Sequence, residues 1–219
     1  MKTVGVIGGM GPEATADFLR RLIAATPAQD DADHIHVLVD NNPKVPSRIA
    51  ALIERTSADP LPTLIAMAQG LERQGADLLV MPCNTAHYYL PAIAKAVNIP
   101  FLDMAALAIG ALSGKRIGML ASPAVRLVGL YEARLNAVGM DAVFPVDDAP
   151  VLDIIRAVKA GRVTDAHRRT YARIAHSLEA DAYLIACTEL SVLGAPEGIA
   201  KPMVDALDVL VKATVAEAT

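Results

Sequence analysis

The feature that most constrains this chain is a segment it contains twice. Ala76-Asp77 leads through five residues to Cys83, and Ala180-Asp181 leads through five residues to Cys187; these are the only two cysteines. In each copy the residues before the cysteine form an apolar run of the length of a fully buried parallel strand. After Cys83 the sequence turns straight into Asn84-Thr85-Ala86, the first turn of a predicted helix. A thiol between the carboxyl end of a strand and the amino end of a helix sees unpaired N–H groups and the positive end of a helix dipole, a setting that lowers a cysteine pKa from roughly 8.5. Thr3-Val-Gly-Val-Ile-Gly-Gly is echoed in turn by Arg116-Ile-Gly-Met-Leu-Ala-Ser. Each half therefore offers a strand ending in a small-residue turn and, farther along, a strand ending in cysteine. Internal duplication is the economical reading.

Taken in order, the periodicity predicts a strand over 4–7 and a helix from the Gly8–Thr15 turn to about Ala25, with Pro12 suited to its first turn. A strand follows over 35–39, then the polar, proline-rich loop Asp40–Arg48. A helix over 62–74, the Cys83 strand, a helix to about Val97 and a short strand at Phe101-Leu102 complete the first half. The second half predicts a strand over 116–120, a helix over 125–138, a strand over 142–144, helices over 154–160 and 164–178, the Cys187 strand, a strand over 203–205 and a terminal helix. Strand alternating with helix implies a mostly parallel sheet with helices on both faces. The repeat places a boundary near Pro100, and the terminal helix is expected to pack back on the first half. The expected organisation is two pseudo-symmetric three-layer α/β/α domains, 1–99 plus 206–219 and 100–205, with the active site in the cleft between them.

Composition narrows the function. A net charge of -4 over 219 residues gives no basic face for a nucleic acid. No apolar run reaches membrane-spanning length, and Met1-Lys2-Thr3-Val4 leads directly into a strand, so a cytoplasmic protein with no membrane partner is expected. Two cysteines in a reducing compartment are poor disulfide candidates, and without CxxC or clustered histidine they make a poor metal site.

Ligand crevices of open parallel sheets lie beyond the carboxyl ends of the strands. Two such units face to face would set Cys83 and Cys187 on opposite walls of one cleft. Opposed acid/base groups are what inversion of a carbon centre requires, one removing a proton from one face and the other delivering a proton to the opposite face. The bland alternative is that both cysteines are inert small core residues. A rival of another class is a dinucleotide-binding oxidoreductase, since Gly9-Met-Gly-Pro-Glu-Ala matches G-x-G-x-x-A after a strand and Asp40 could meet a ribose; it leaves the duplicated cysteines unexplained. A third reading, an amino-acid-binding module without activity, needs neither thiol.

The Gly8-Gly-Met-Gly-Pro-x-Ala-Thr, Pro82-Cys-Asn-Thr-Ala-His and Cys187-Thr-Glu-Leu segments, in that order along essentially the whole chain, resemble the aspartate/glutamate racemase family, closest to its aspartate racemases. The resemblance implies a cofactor-independent racemase, without pyridoxal phosphate or metal, that acts on a small acidic amino acid through catalytic thiols at Cys83 and Cys187 and is usually a homodimer. It also implies that Arg48, in Pro46-Ser47-Arg48, clamps a substrate carboxylate, a task suited to a planar fork of donors. Lys159 resembles the lysine that completes dicarboxylate recognition. Met10, Asn84, Thr85, Ser122 and Thr188 are the further substrate-binding positions it implies; for the residues beside the thiols, helix capping is the plain alternative. Ser47 and Ile49 depart from a usual Asp and Thr, and Ser122-Pro123-Ala124-Val125 departs from a Thr-x-Gly-Thr turn, which weakens the case for aspartate in particular. Hydantoin racemases and maleate isomerases reuse cysteines on the same fold and stay open as relatives in function. His87, one turn past Cys83, is read as a surface or core-lining residue more readily than as a tuner of that thiol.

Overall fold

The computed structural model describes the whole chain, Met1–Thr219. The first half contains β1 (Val4–Gly8), α1 (Pro12–Ala25), β2 (Val37–Asn41), α2 (Leu61–Arg73), β3 (Leu78–Val80), α3 (Leu90–Ala94) and α4 (Met104–Gly110). The second contains β4 (Arg116–Ala121), α5 (Pro123–Leu127), α6 (Glu132–Ala137), β5 (Asp141–Val143), α7 (Ala149–Lys159), α8 (Asp165–Ser177), β6 (Ala182–Ala186), α9 (Thr188–Leu193), β7 (Met203–Asp205) and α10 (Ala206–Ala218). Every strand pairing is parallel, in the orders β2-β1-β3 and β5-β4-β6-β7. A single parallel bridge from Leu79 to Phe101 supplies the first sheet's fourth position, so both halves follow one plan. The α/β class with parallel sheets expected from the sequence is the class observed.

The central strands carry no polar alternation because helices cover both of their faces. β1, β3 and β6 are buried at every position. Alternate residues still point to opposite sides. Val4, Val6, Leu78 and Val80 of the first sheet join Ile117, Met119, Leu184 and Ala186 of the second in one core, filled by α1, α4 and α10. Phe18 of α1 is 0% exposed there, a burial that stabilises by roughly 1.5–3 kcal/mol. The other parity faces outward: Leu79, Met81 and Cys83 pack beneath α2, while Tyr183, Ile185 and Cys187 pack with residues of α7 and α8. Both thiols thus lie on the outer side of their sheets, and the halves are joined by the core between them. The terminal helix α10 lies against α1 and α4.

Several elements differ from the expected ones for local reasons. The helix predicted from Asn84 to about Val97 is a 3-10 segment, Thr85–Tyr89, followed by the short α3, because Pro91 has no N–H to give and belongs in a helix's first turn. The helix predicted over 125–138 is α5 and α6, separated at Gly129, whose φ of 61° lies in the left-handed region. The Phe101-Leu102 strand shrinks to the single bridge at Phe101. Beyond the polar loop, residues Ala50–Glu54 form a π-helical turn. That segment reaches the second half: Ile49 packs against its outer core, and Arg156 Nη2 of α7 lies 3.4 Å from Glu54 Oε1.

Candidate active site

The carboxyl ends of β1, β3, β4 and β6 open toward a common narrow cavity of about 20 Å³. Both thiols line it. Met10 from the β1–α1 turn, Arg48 from the loop after β2, and Asn84 and Thr85 beside Cys83 belong to its first-half wall. Ser122 at the end of β4, Lys159 at the end of α7 and Thr188 beside Cys187 belong to the second. All nine positions singled out in the sequence are therefore brought together. The cavity continues into a wider mouth bordered by Pro12, Ser47 and Val158 and sharing Arg48 and Lys159.

Three of its polar groups are buried without a hydrogen-bond partner: Arg48 Nε, Asn84 Nδ2 and Thr188 Oγ1. An unpaired buried donor costs roughly 1–3 kcal/mol, so such groups in one cavity mark a place for water or a polar ligand. Arg48 is only 8% exposed. Its Nη1 donates to Pro46 O at 3.1 Å and its Nη2 to Met10 O at 3.0 Å, which presets the guanidinium. Ser122 caps α5 by accepting the Ala124 amide at 3.3 Å. Tyr131 donates its hydroxyl to Asn84 Oδ1 at 2.5 Å, and burial pushes that phenol far above its ordinary range, so it remains a donor.

Glu189 was missed in the sequence although it stands in the Cys187-Thr-Glu-Leu segment. Its carboxylate lines the cavity, accepts the Cys187 thiol at 3.2 Å through Oε2, and lies 3.4 Å from Lys159 Nζ through Oε1. A carboxylate two residues past a thiol at a strand-to-helix corner was the available signal. Its consequence is electrostatic. Burial first, and then the Glu189 charge and hydrogen bond, push the Cys187 thiol well above its ordinary value, against smaller opposing effects from the Leu190 amide and Lys159. At Cys187 desolvation and a like charge therefore outweigh a dipole from a helix of 6 residues.

His87 is 1% exposed, which rules out a surface role. The Met104 amide donates to its Nε2 at 3.2 Å, so the ring proton sits on Nδ1 and is donated to Cys83 O at 2.9 Å. Burial holds its pKa below the ordinary histidine value, in keeping with a neutral ring. His87 holds the backbone of the Cys83 corner, not its sulfur.

The glycine turn serves the same wall. Gly9 has φ 88°, and a Cβ there would lie 2.3 Å from the Asn42 main chain. Gly11, the position that admits a pyrophosphate in a dinucleotide fold, instead faces Glu189 Oε1, 3.9 Å from where a Cβ would sit. A carboxylate beside this turn disfavours a phosphate there. Nowhere do three or more His, Cys, Asp or Glu side chains group in a way that could hold a metal ion. No helix is long and apolar enough to cross a membrane.

A family model described as Asp/Glu/Hydantoin racemase matches residues 7–214. The chain belongs to this racemase family. Racemases are isomerases, and that is the enzyme class of the chain. Among family members it is 27% identical over 223 residues to the broad specificity amino-acid racemase RacX of Bacillus subtilis (strain 168), covering 97% of this chain and 96% of RacX. The structure of Picrophilus torridus aspartate racemase superposes with a TM-score of 0.89 at 32% identity, over 100% of this chain and 94% of that one. An aspartate racemase homologue from Pyrococcus horikoshii OT3, at 18% identity, shares the fold with a TM-score of 0.76 over 100% of this chain and 99% of that one.

Proposed function

We propose that this racemase interconverts the enantiomers of a free acidic amino acid, aspartate first, without a cofactor, using Cys83 and Cys187 as its two acid/base groups. The observation that carries the reading is that one cavity is lined by the chain's two free cysteines, on opposite halves, together with Arg48, Lys159 and three unpartnered buried donors. The likeness to the Picrophilus aspartate racemase along the full chain supports the choice of substrate.

Turnover needs one sulfur as thiolate and the other as thiol. The raised Cys187 pKa makes it the protonated partner at rest. Cys83 thiolate then takes the α-proton from one face, and the Cys187 thiol gives its proton to the other, so that the C–H bond broken on one side is replaced on the opposite side. In the reverse direction Cys187 must first lose its proton, and Glu189 is placed to accept it. Without an electron sink, the charge developing on the α-carboxylate must be met by preorganised donors, for which Asn84 Nδ2, Thr188 Oγ1 and the amides beside them are available. Arg48 and Lys159 hold the side-chain carboxylate and thereby place the α-carbon between the sulfurs.

A second reading rests on one contact. Glu189 already satisfies Lys159, which favours an amino acid with no side-chain carboxylate to compete for that lysine, as the broad specificity in the RacX name suggests. One experiment separates these. The purified protein is incubated in deuterated water with L- and D-aspartate, glutamate and alanine, following optical rotation and α-deuterium. Preference for aspartate supports the first reading, preference for alanine the second, and the absence of inversion with all three overturns both.

A further inference from the structure

We infer that the two thiols are cross-braced: each cysteine corner is held in position by side chains from a helix of the opposite half, Arg134 of α6 and Tyr131 at its N-cap for Cys83 and Arg21 of α1 for Cys187. The inference rests on the two-thiol reading and adds positioning residues to it.

The two braces are built alike. Arg134, in α6, donates from Nη1 to Asp103 Oδ2 at 2.7 Å. Asp103 follows the fourth strand position of the other sheet and caps α4 through Oδ1, which accepts the Ala105 and Ala106 amides. The amide of the next residue, Met104, donates to His87, and His87 donates to Cys83 O. Arg21, in the helix after β1, donates from Nη1 to Asp205 Oδ2 at 2.8 Å. Asp205 ends β7, the fourth strand of the other sheet, and caps α10 through the Leu207 amide at 2.9 Å. Its Oδ1 also accepts the hydroxyl of Ser191 at 2.6 Å, and Ser191 stands one turn past Cys187 as His87 stands one turn past Cys83. Arg21 Nη2 reaches the same corner directly, donating to Ser191 O at 2.7 Å. Tyr131 gives the Cys83 corner a second hold through Asn84.

The hydrophobic effect has no direction, so burial in one apolar core does not by itself specify the relative placement of two sheets as sharply as directional bonds do. Inversion does not tolerate loose placement: a misplacement of about 1 Å can cost on the order of 100-fold in rate. Directional, charge-assisted bonds running in both senses across the junction fix where each sulfur stands relative to the other half. Proton removal needs one sulfur in place; inversion needs both. Loosening a brace therefore uncouples the two events.

The test compares wild type with Arg21→Met, Arg134→Met, Arg21→Lys, Asp103→Asn and Asp205→Asn in deuterated water. Asn retains the cap oxygen while removing the charge that meets arginine. Deuterium is measured separately in product and in recovered substrate of unchanged configuration. In the Met variants inversion is expected to fall about 10- to 100-fold, while the ratio of deuterium in retained substrate to deuterium in product rises above that of wild type. The Asn variants follow the same direction, and Arg21→Lys recovers part of the loss. Inversion within twofold of wild type in both Met variants overturns the inference. So does a parallel fall of inversion and exchange with an unchanged ratio, or with a thermal midpoint at or below the assay temperature, since either marks a structural role only. Failure of the underlying reading looks different: wild type that does not invert any substrate, or Cys83→Ala that inverts at full rate.

Discussion

The Cys83 and Cys187 walls descend from one backbone plan yet are furnished differently. At Cys83 the next residue, Asn84, receives a hydroxyl from Tyr131, and the corner is tied by a buried neutral imidazole. At Cys187 the next residue, Thr188, has an unpartnered hydroxyl, and the sulfur itself is bonded to Glu189. Phe18 stands three residues before Arg21 as Tyr131 stands three before Arg134, so the absence of one phenolic oxygen leaves the second wall without that hold. The comparison teaches that duplication preserved the position of the sulfurs while the side chains around them diverged. A reaction whose two faces are mirror images is thus served by walls that are not.

The largest effect expected is symmetric and tests whether both walls act. Cys83→Ala and Cys187→Ala should each lower racemisation by about 1,000-fold or more, as loss of a group acting directly on the reacting atom does. Full activity in either variant, measured by polarimetry, removes that wall from the chemistry. Glu189→Gln sharpens the asymmetry. It removes the charge that raises the Cys187 thiol, so the limb of the pH–rate profile belonging to Cys187 should move to lower pH, with kcat lowered about 10- to 100-fold by loss of the proton acceptor. A profile superimposable on wild type would mean that Glu189 does not sense that sulfur.

Smaller effects probe the Cys83 wall alone. Tyr131→Phe leaves Asn84 Oδ1 buried without its donor and should cost about 1–3 kcal/mol in a denaturant titration. A cost below the error of that titration would show that Asn84 finds another partner. His87 gives the weakest signal. Its folded pKa is lowered by burial, so the unfolded chain takes up a proton that the folded ring refuses. The stability it contributes is complete above the unfolded value of about 6.5 and is lost as pH falls through that value toward the lower folded one. The urea midpoint of wild type should therefore drop between about pH 7 and 5 more steeply than that of His87→Gln. Equal slopes would assign the dependence to other groups.

Much of the site was legible because strand parity and the duplicated spacing are local properties. Five residues from Asp to Cys place a thiol at a strand's end in both halves, whereas Met10, Arg48, Ser122 and Lys159 were reached only through the resemblance to the racemase family. Glu189 was harder, since a glutamate at a helix start reads equally as a favourable charge on the helix dipole; only its distance to the sulfur distinguishes the two. The broken helices escaped in part because Pro91 and Gly129 interrupt runs whose apolar spacing is otherwise helical.

The sequence by itself determined the repeat, the parallel α/β plan and the location of both cysteines, because burial on two faces imposes a pattern that neighbouring residues must share. Which side chains meet those cysteines was decided only in three dimensions. Tyr131 and Asn84 lie 47 residues apart and Arg21 and Asp205 184 apart, and no local propensity encodes such pairings. They arise when α1, α4, α6 and α10 pack in one core between the two sheets, which brings α1 and the α6 segment to the strand ends of the opposite half.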